Sequence, residues 1–198
     1  MSRLSESLAR ISADLDDLGV RWAVVGGLAV SVRAEPRMTR DVDVAISVAS
    51  DTDAERIVRA LRDRGYEPVA LLEQEGAHRL ATARMTAEGQ PEGIVIDLLF
   101  ASSGIESEIV DSSDRLEVFA GIEARVASVS HLMAMKILAR DDRTRPQDLD
   151  DLRSLLARAS GTDIETTRAL LLLITERGFA RRRNLVESFE LLLREERG

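Results

Sequence analysis

The chain has 198 residues, 44% of them hydrophobic, enough to bury the core of one compact domain or of one domain with a smaller appendage. It has no cysteine, which excludes disulfides, thiolate metal sites and cysteine nucleophiles; its formal charge of -8 argues against sequence-independent coating of nucleic acid while leaving room for a local basic groove. No apolar run approaches the roughly 18 residues of a membrane span and no basic-then-apolar leader is visible, so a cytoplasmic location without membrane contact is expected.

Leu4, Leu8, Ile11, Leu15 and Leu18 recur at helical spacing, with Ser2 placed to cap the helix and Gly19 to end it. VRWAVV, residues 20–25, reads as a strand, and Gly26 and Gly27 then open a short helical segment to about Arg33. VDVAI, residues 42–46, is the second strand. A helix over about 51–64 presents Ile57, Val58 and Leu61 and stops at Gly65. Strands are expected over 68–72 and 78–85, a turn over 88–93, and a strong apolar strand, IVIDLLF, over 94–100. A helix near 104–110 and a strand pair over 116–119 and 122–126 follow.

From about residue 128 the period is helical. SHLMAMKILAR forms one helix. TRPQDLDDLRSLLARA forms a second, with Thr144 and Gln147 as a capping box; Thr162 and Glu165 repeat that box for a third, and Leu185, Phe189 and Leu192 line a fourth. LLLLI, residues 170–174, is expected in a helix interface or an oligomer contact. Met133 and Met135 read as packing residues, and His78 and His131 as structural or surface histidines without metal-type spacing. The expected architecture is α/β, with a mixed sheet over residues 1–127 and a helical part over 128–198.

The chemistry concentrates in VVGGLAVSVRAEPRMTRDVDVAI. Asp41 and Asp43 are two apart in a strand, hence on one face, with Cβ atoms roughly 6 to 7 Å apart. Like charges so placed call for a cation or for water between them. Asp97 stands inside IVIDLLF, where an unpaired carboxylate is costly. If the two strands are neighbours, the three carboxylates can converge on one or two Mg²⁺ ions, as phosphoryl and nucleotidyl transfer require. In the structural alternative Asp41 lies in solvent at a strand edge, Asp43 pairs with an arginine such as Arg40, and Asp97 sits in a salt bridge. Gly26 and Gly27 let a phosphate approach the backbone where orphan N–H groups and the helix dipole favour an anion. Arg40 can offer phosphate a fork of donors or simply balance the aspartates, and Arg33 and Arg37 add positive character. Lys136, the only lysine, sits in an otherwise apolar helix from which it can snorkel. The Arg181–Arg183 triplet reads as a solvated helix start, with contact to an RNA acceptor as the other reading.

Gly26-Gly27, then Thr39-Arg40-Asp41-Val42-Asp43, then Ile96-Asp97-Leu98 resemble the minimal nucleotidyltransferase pattern of the DNA polymerase β-like superfamily. With HLMAMKILARDDRTRPQDLDDLRSLL, the chain is more narrowly similar to AbiEii and MenT-type nucleotidyltransferases, many of them toxins of toxin-antitoxin pairs. The resemblance implies catalytic, metal-binding roles for Asp41, Asp43 and Asp97 with two Mg²⁺ ions. It also implies NTP binding through Gly26, Gly27, Arg40, Lys136 and Asp148, with Asp148 inside an Arg145, Asp148, Asp151, Leu152 segment. The implied acceptor is a tRNA 3′ end or a protein hydroxyl, and the implied partner a cognate antitoxin. A second group with the same layout adenylylates aminoglycosides or lincosamides. The remaining alternative is a non-catalytic binding protein on the same fold. Gly26-Gly27 stands where many superfamily members have Gly-Ser, so backbone N–H groups replace a hydroxyl.

Overall fold

The computed structural model describes residues 2–74, 79–87, 93–141 and 146–197. His78, Thr144, Arg145 and nearly all of the expected 88–93 turn lie outside the described residues.

Among the described residues seven strands form one mixed sheet: β1 (Trp22–Val24), β2 (Asp41–Ile46), β3 (Tyr66–Gln74), β4 (Arg79–Ala87), β5 (Val95–Leu99), β6 (Asp114–Phe119) and β7 (Ile122–Val126). Their spatial order is β3-β4-β5-β2-β1-β7-β6. At its centre β2 runs antiparallel to β1 and parallel to β5, and β4 is antiparallel to β5 on the other side. The edge position of β3 accommodates Pro68, whose missing N–H would break a central ladder. Helices α1 (Arg3–Asp17), α2 (Gly26–Arg33), α3 (Asp51–Asp63) and α4 (Glu106–Asp111) interleave with the strands; α5 (Val129–Ala139), α6 (Gln147–Leu156), α7 (Gly161–Glu176) and α8 (Leu185–Arg197) follow them.

Local sequence explains most of these elements. The Ser2 hydroxyl accepts from the Ser5 N–H at 3.2 Å to start α1, which buries Leu8, Ile11 and Leu15 completely. Each such leucine or isoleucine contributes about 1.5–3 kcal/mol of burial. Ser50 caps α3 in the same way through Asp53, and Ala54, Ile57, Val58 and Leu61 face the core.

The cap of α7 departs from expectation. Ser160, extended, accepts from the Asp163 N–H, and Asp163 accepts from the Ser160 N–H, so the box sits two residues before Thr162 and Glu165. Ser160 and Asp163 carry the same three-residue spacing, and the short aspartate reaches back to close the ring. For α6 the N-cap is Pro146, without a side-chain bond. In the leucine run Leu170, Leu171 and Ile174 are buried while Leu172 is 59% exposed, as a helix of 3.6 residues per turn requires.

Helix α5 is buried on almost every side, through Leu132, Met133, Ala134, Ile137 and Leu138 among others. His131 is buried there too, with Nδ1 2.8 Å from the Ser128 hydroxyl and 3.1 Å from that of Ser112. Burial pushes its pKa down from 6.5 to about 4, against a smaller upward pull from Glu108. Between these values the unfolded chain takes up a proton that the folded chain refuses, so stability is full above pH 6.5 and falls as the pH drops toward 4. Urea titrations at pH 7.5 and pH 5 are expected to differ by about 2 kcal/mol from this group alone. A His131→Gln variant should lose that part of the difference; an unchanged pH slope in the variant would contradict it.

Candidate active site

Strands β2 and β5 set the site. In their parallel register Asp43 lies opposite Asp97 and Asp41 opposite Val95. Along β2 Val42 and Val44 are buried while Asp41 and Asp43 are part-exposed on the other face, so the alternation that fills the core also turns both carboxylates outward. Asp97, on β5, is only 7% exposed. All three line a cleft of about 980 Å³, which Gly26, Gly27, Arg40, Lys136 and Asp148 line as well. These eight residues are therefore found around one space.

The glycine pair does more than leave room for a ligand. Gly26 begins α2 with φ +60°, and a Cβ on it would come 1.9 Å from Oδ2 of Asp43. The Val25 N–H donates to the Asp43 carbonyl at 2.9 Å, so the helix start and the aspartate strand are stitched side by side. A Cβ on Gly27 would meet Arg37 Nη2 at 2.6 Å and Thr39 Oγ1 at 2.8 Å. Gly26→Ala is expected to cost about 1–2 kcal/mol in the left-handed backbone and to displace Asp43 as well. If Asp43 takes part in the chemistry of this cleft, the rate should fall about 10²-fold, as geometric misplacement of a reacting group does, with a smaller loss of thermal stability. A near-normal rate would mean that Asp43 has no fixed position to lose.

Lys136 does not snorkel. It is 9% exposed, and its Nζ lies 2.8 Å from Asp148 Oδ1 and 2.6 Å from Asp151 Oδ2. Asp151 also receives Arg37, Nη2 to Oδ2 at 2.9 Å. A buried network thus ties α5, α6 and the segment after α2 together at the cleft wall. Arg33, read as part of the basic loop, faces elsewhere. Its Nε donates to the Ala127 carbonyl at 2.9 Å, and its Nη2 donates to the Val126 carbonyl at 2.8 Å and pairs with Asp114. It fastens α2 to the end of β7.

Sequence reasoning missed Arg84. It stands opposite Asp97 on β4 and donates Nε to Oδ1 at 2.9 Å and Nη2 to Oδ2 at 2.8 Å. That part of the structural alternative, a salt bridge on Asp97, is present. The fork raises the Arg84 pKa further above its ordinary value, and the charges of Asp41 and Asp43 add to it. Among the described residues no three acidic or histidine side chains stand as a ready-made metal cluster. The donor set nevertheless fits Mg²⁺, since it consists of carboxylate oxygens on adjacent strands facing a solvent-accessible cleft, with the Cβ-free Gly26 against Asp43.

The arginine triplet stands just ahead of α8 with Arg181 and Arg182 exposed, as a solvated helix start would be, while Arg183 is fastened to the protein. Arg183 donates to the carbonyls of Leu138 and Arg140 at the end of α5, and Asn184 caps α8 by accepting from the Glu187 N–H at 3.1 Å. Upstream, the Phe179 ring lies where a Cβ on Gly104 would be, and Arg177 donates to the Gly104 carbonyl and pairs with Glu108, holding that carboxyl below its ordinary range. Between these anchors Arg181 and Arg182 adopt φ of 51° and 59°, and Arg181 lines the cleft. Consecutive left-handed arginines carry no turn signature that a sequence could show.

Comparison with solved structures finds the same fold. An antigenic nucleotidyltransferase-like protein from Paracoccidioides brasiliensis superposes with a TM-score of 0.54 at 19% identity, over 95% of this chain and 92% of that one. A lincosamide antibiotic adenylyltransferase solved with lincomycin gives 0.51 at 12% identity, over 78% and 97%. ANT(2″)-Ia in complex with adenylyl-2″-tobramycin gives 0.51 at 16% identity, over 99% and 98%. Comparison with curated protein sequences finds no match. The model of one family, nucleotidyl transferase AbiEii toxin of type IV toxin-antitoxin systems, matches residues 7–198, and the chain therefore belongs to the AbiEii nucleotidyltransferases.

Proposed function

We propose that this nucleotidyltransferase is Mg²⁺-dependent and moves an NMP from an NTP to a hydroxyl on the 3′ end of tRNA, as a cytoplasmic toxin-like enzyme restrained by a cognate antitoxin. A protein hydroxyl is the other acceptor of this class. The observation that carries the reading is the in-register pair of Asp43 and Asp97, with Asp41 on the same cleft beside the start of α2. The chain works as two parts, residues 1–127 supplying the carboxylates and glycines and residues 128–198 supplying Lys136, Asp148 and Arg181 to the opposite wall.

Asp41, Asp43 and Asp97 would hold two Mg²⁺ ions, which when bound supply charge neutralisation to the triphosphate and activation to the acceptor hydroxyl. The N–H groups of Gly26 and Gly27 cradle phosphate oxygens at the positive end of α2. Arg40 and Lys136 bind the triphosphate, and Asp148 and Asp151 fix the direction of the lysine ammonium. As the acceptor oxygen bonds to the α-phosphorus, the bond to pyrophosphate breaks and Asp97 takes the hydroxyl proton.

The acidic net charge of -8 favours a second reading, a cationic antibiotic as acceptor. Arg181, on the cleft and not assigned to the triphosphate, favours an anionic acceptor instead, and local charge outweighs net charge within a Debye length of about 8 Å. Incubation with Mg²⁺ and α-labelled NTPs, alongside total tRNA, a proteome extract or aminoglycosides, tests the choice. Label on tRNA is expected; label on the drugs alone would overturn the acceptor assignment.

A further inference from the structure

Asp97 and Arg84 differ in how freely each can move. Asp97 is anchored in the middle of β5 with its side chain 11% exposed, whereas the side chain of Arg84 is 46% exposed and reaches the carboxylate from the neighbouring strand. The carboxylate is nearly out of water, so leaving it without a cation is costly, while the guanidinium can swing into solvent at little cost. Arg84 holds both carboxylate oxygens in a bidentate fork, so a divalent ion at Asp97 would share at least one of them with the guanidinium.

We propose that Arg84 is a resident counter-ion for Asp97 that competes with the divalent cation for this carboxylate. Without nucleotide, Asp97 stays with Arg84, and it becomes a ligand only when Arg84 transfers its fork to a phosphate of the arriving substrate. Arg84 is thus a positioning residue: it keeps the Asp97 carboxylate on the cleft wall and ties completion of the cation site to substrate arrival. The proposal rests on the metal-dependent reading above and adds an order of events to it.

The test is Mn²⁺ binding without nucleotide, followed by electron paramagnetic resonance and calorimetry, in wild type, Arg84→Gln, Arg84→Lys and Arg84→Gln with Asp97→Asn. Wild type is expected to bind one Mn²⁺ per chain. Arg84→Gln should show a second Mn²⁺ or bind at least fivefold tighter, Arg84→Lys should stay near wild type, and the added Asp97→Asn should cancel the gain. Thermal unfolding verifies that each variant is folded, and the exposed position of Arg84 makes that the expected result. Equal affinity and stoichiometry in wild type and Arg84→Gln, with normal Mn²⁺ binding in the presence of NTP, would overturn the counter-ion role while leaving the transferase reading intact. No Mn²⁺ bound by either protein, with or without NTP, would overturn both.

Discussion

Asp43→Asn is expected to lower NMP transfer by about 10³-fold while leaving the unfolding midpoint close to wild type. The position admits nothing subtler. Asp43 is the carboxylate against which Gly26 gives up its Cβ, the residue directly across from Asp97, and the neighbour of Asp41 on the same strand face. An amide of the same shape keeps the packing but removes the charge that the cation would answer. Pyrophosphate release under saturating Mg²⁺ and NTP measures the loss, and calorimetric titration with MgATP or MgCTP should lose its metal-dependent component. A variant retaining more than about a tenth of the wild-type rate would remove Asp43 from the chemistry; unchanged metal-dependent binding would do the same. No metal-dependent binding even in wild type would favour a non-catalytic protein built on this fold.

Lys136→Met should have its largest effect on stability, about 3–5 kcal/mol. The ammonium is the shared partner of Asp148 and Asp151, each only 2% exposed, and Arg37 reaches the second of them alone among these contacts. Methionine fills most of the volume, so the deficit is electrostatic: two buried acids one helical turn apart lose the cation between them. Adding Asp148→Asn should recover part of the loss, because one of the two buried acids that lose the ammonium is then neutral. Urea midpoints for the single and double variants decide it. A single variant within about 1 kcal/mol of wild type would mean that the network is solvated in solution. MgNTP affinity, measured below the unfolding transition, separates a nucleotide contact from this structural part.

Much of the site was legible because it is local. The glycine pair, Asp41 and Asp43 lie within one short stretch, and strand alternation alone places both carboxylates on one face. Asp97 announced itself as a charge inside an apolar run. Arg84 did not, because an arginine in LATARMT is unremarkable until β4 is known to lie beside β5 in a register that brings it to Asp97. Strand neighbours are fixed by the whole sheet, and periodicity carries no record of them. The same limit hid the turn of Arg33 toward β7 and the double left-handed bend that brings Arg181 to the cleft. The cap of α7 was misplaced for a different reason: two overlapping boxes are spelled in SGTDIE, and the geometry of a short aspartate chose the earlier one.

The parallel join of β2 to β5 has a consequence for biosynthesis. Parallel neighbours cannot close through a hairpin, so α3, β3 and β4 all intervene before the strand bearing Asp97 can slot beside Asp43. Lys136 arrives later still, after β6 and β7. A ribosome carrying an unfinished copy therefore displays helices and strands before the cleft that joins Asp41, Asp43, Asp97 and Lys136 exists, and that cleft closes only once most of the polypeptide has emerged and collapsed.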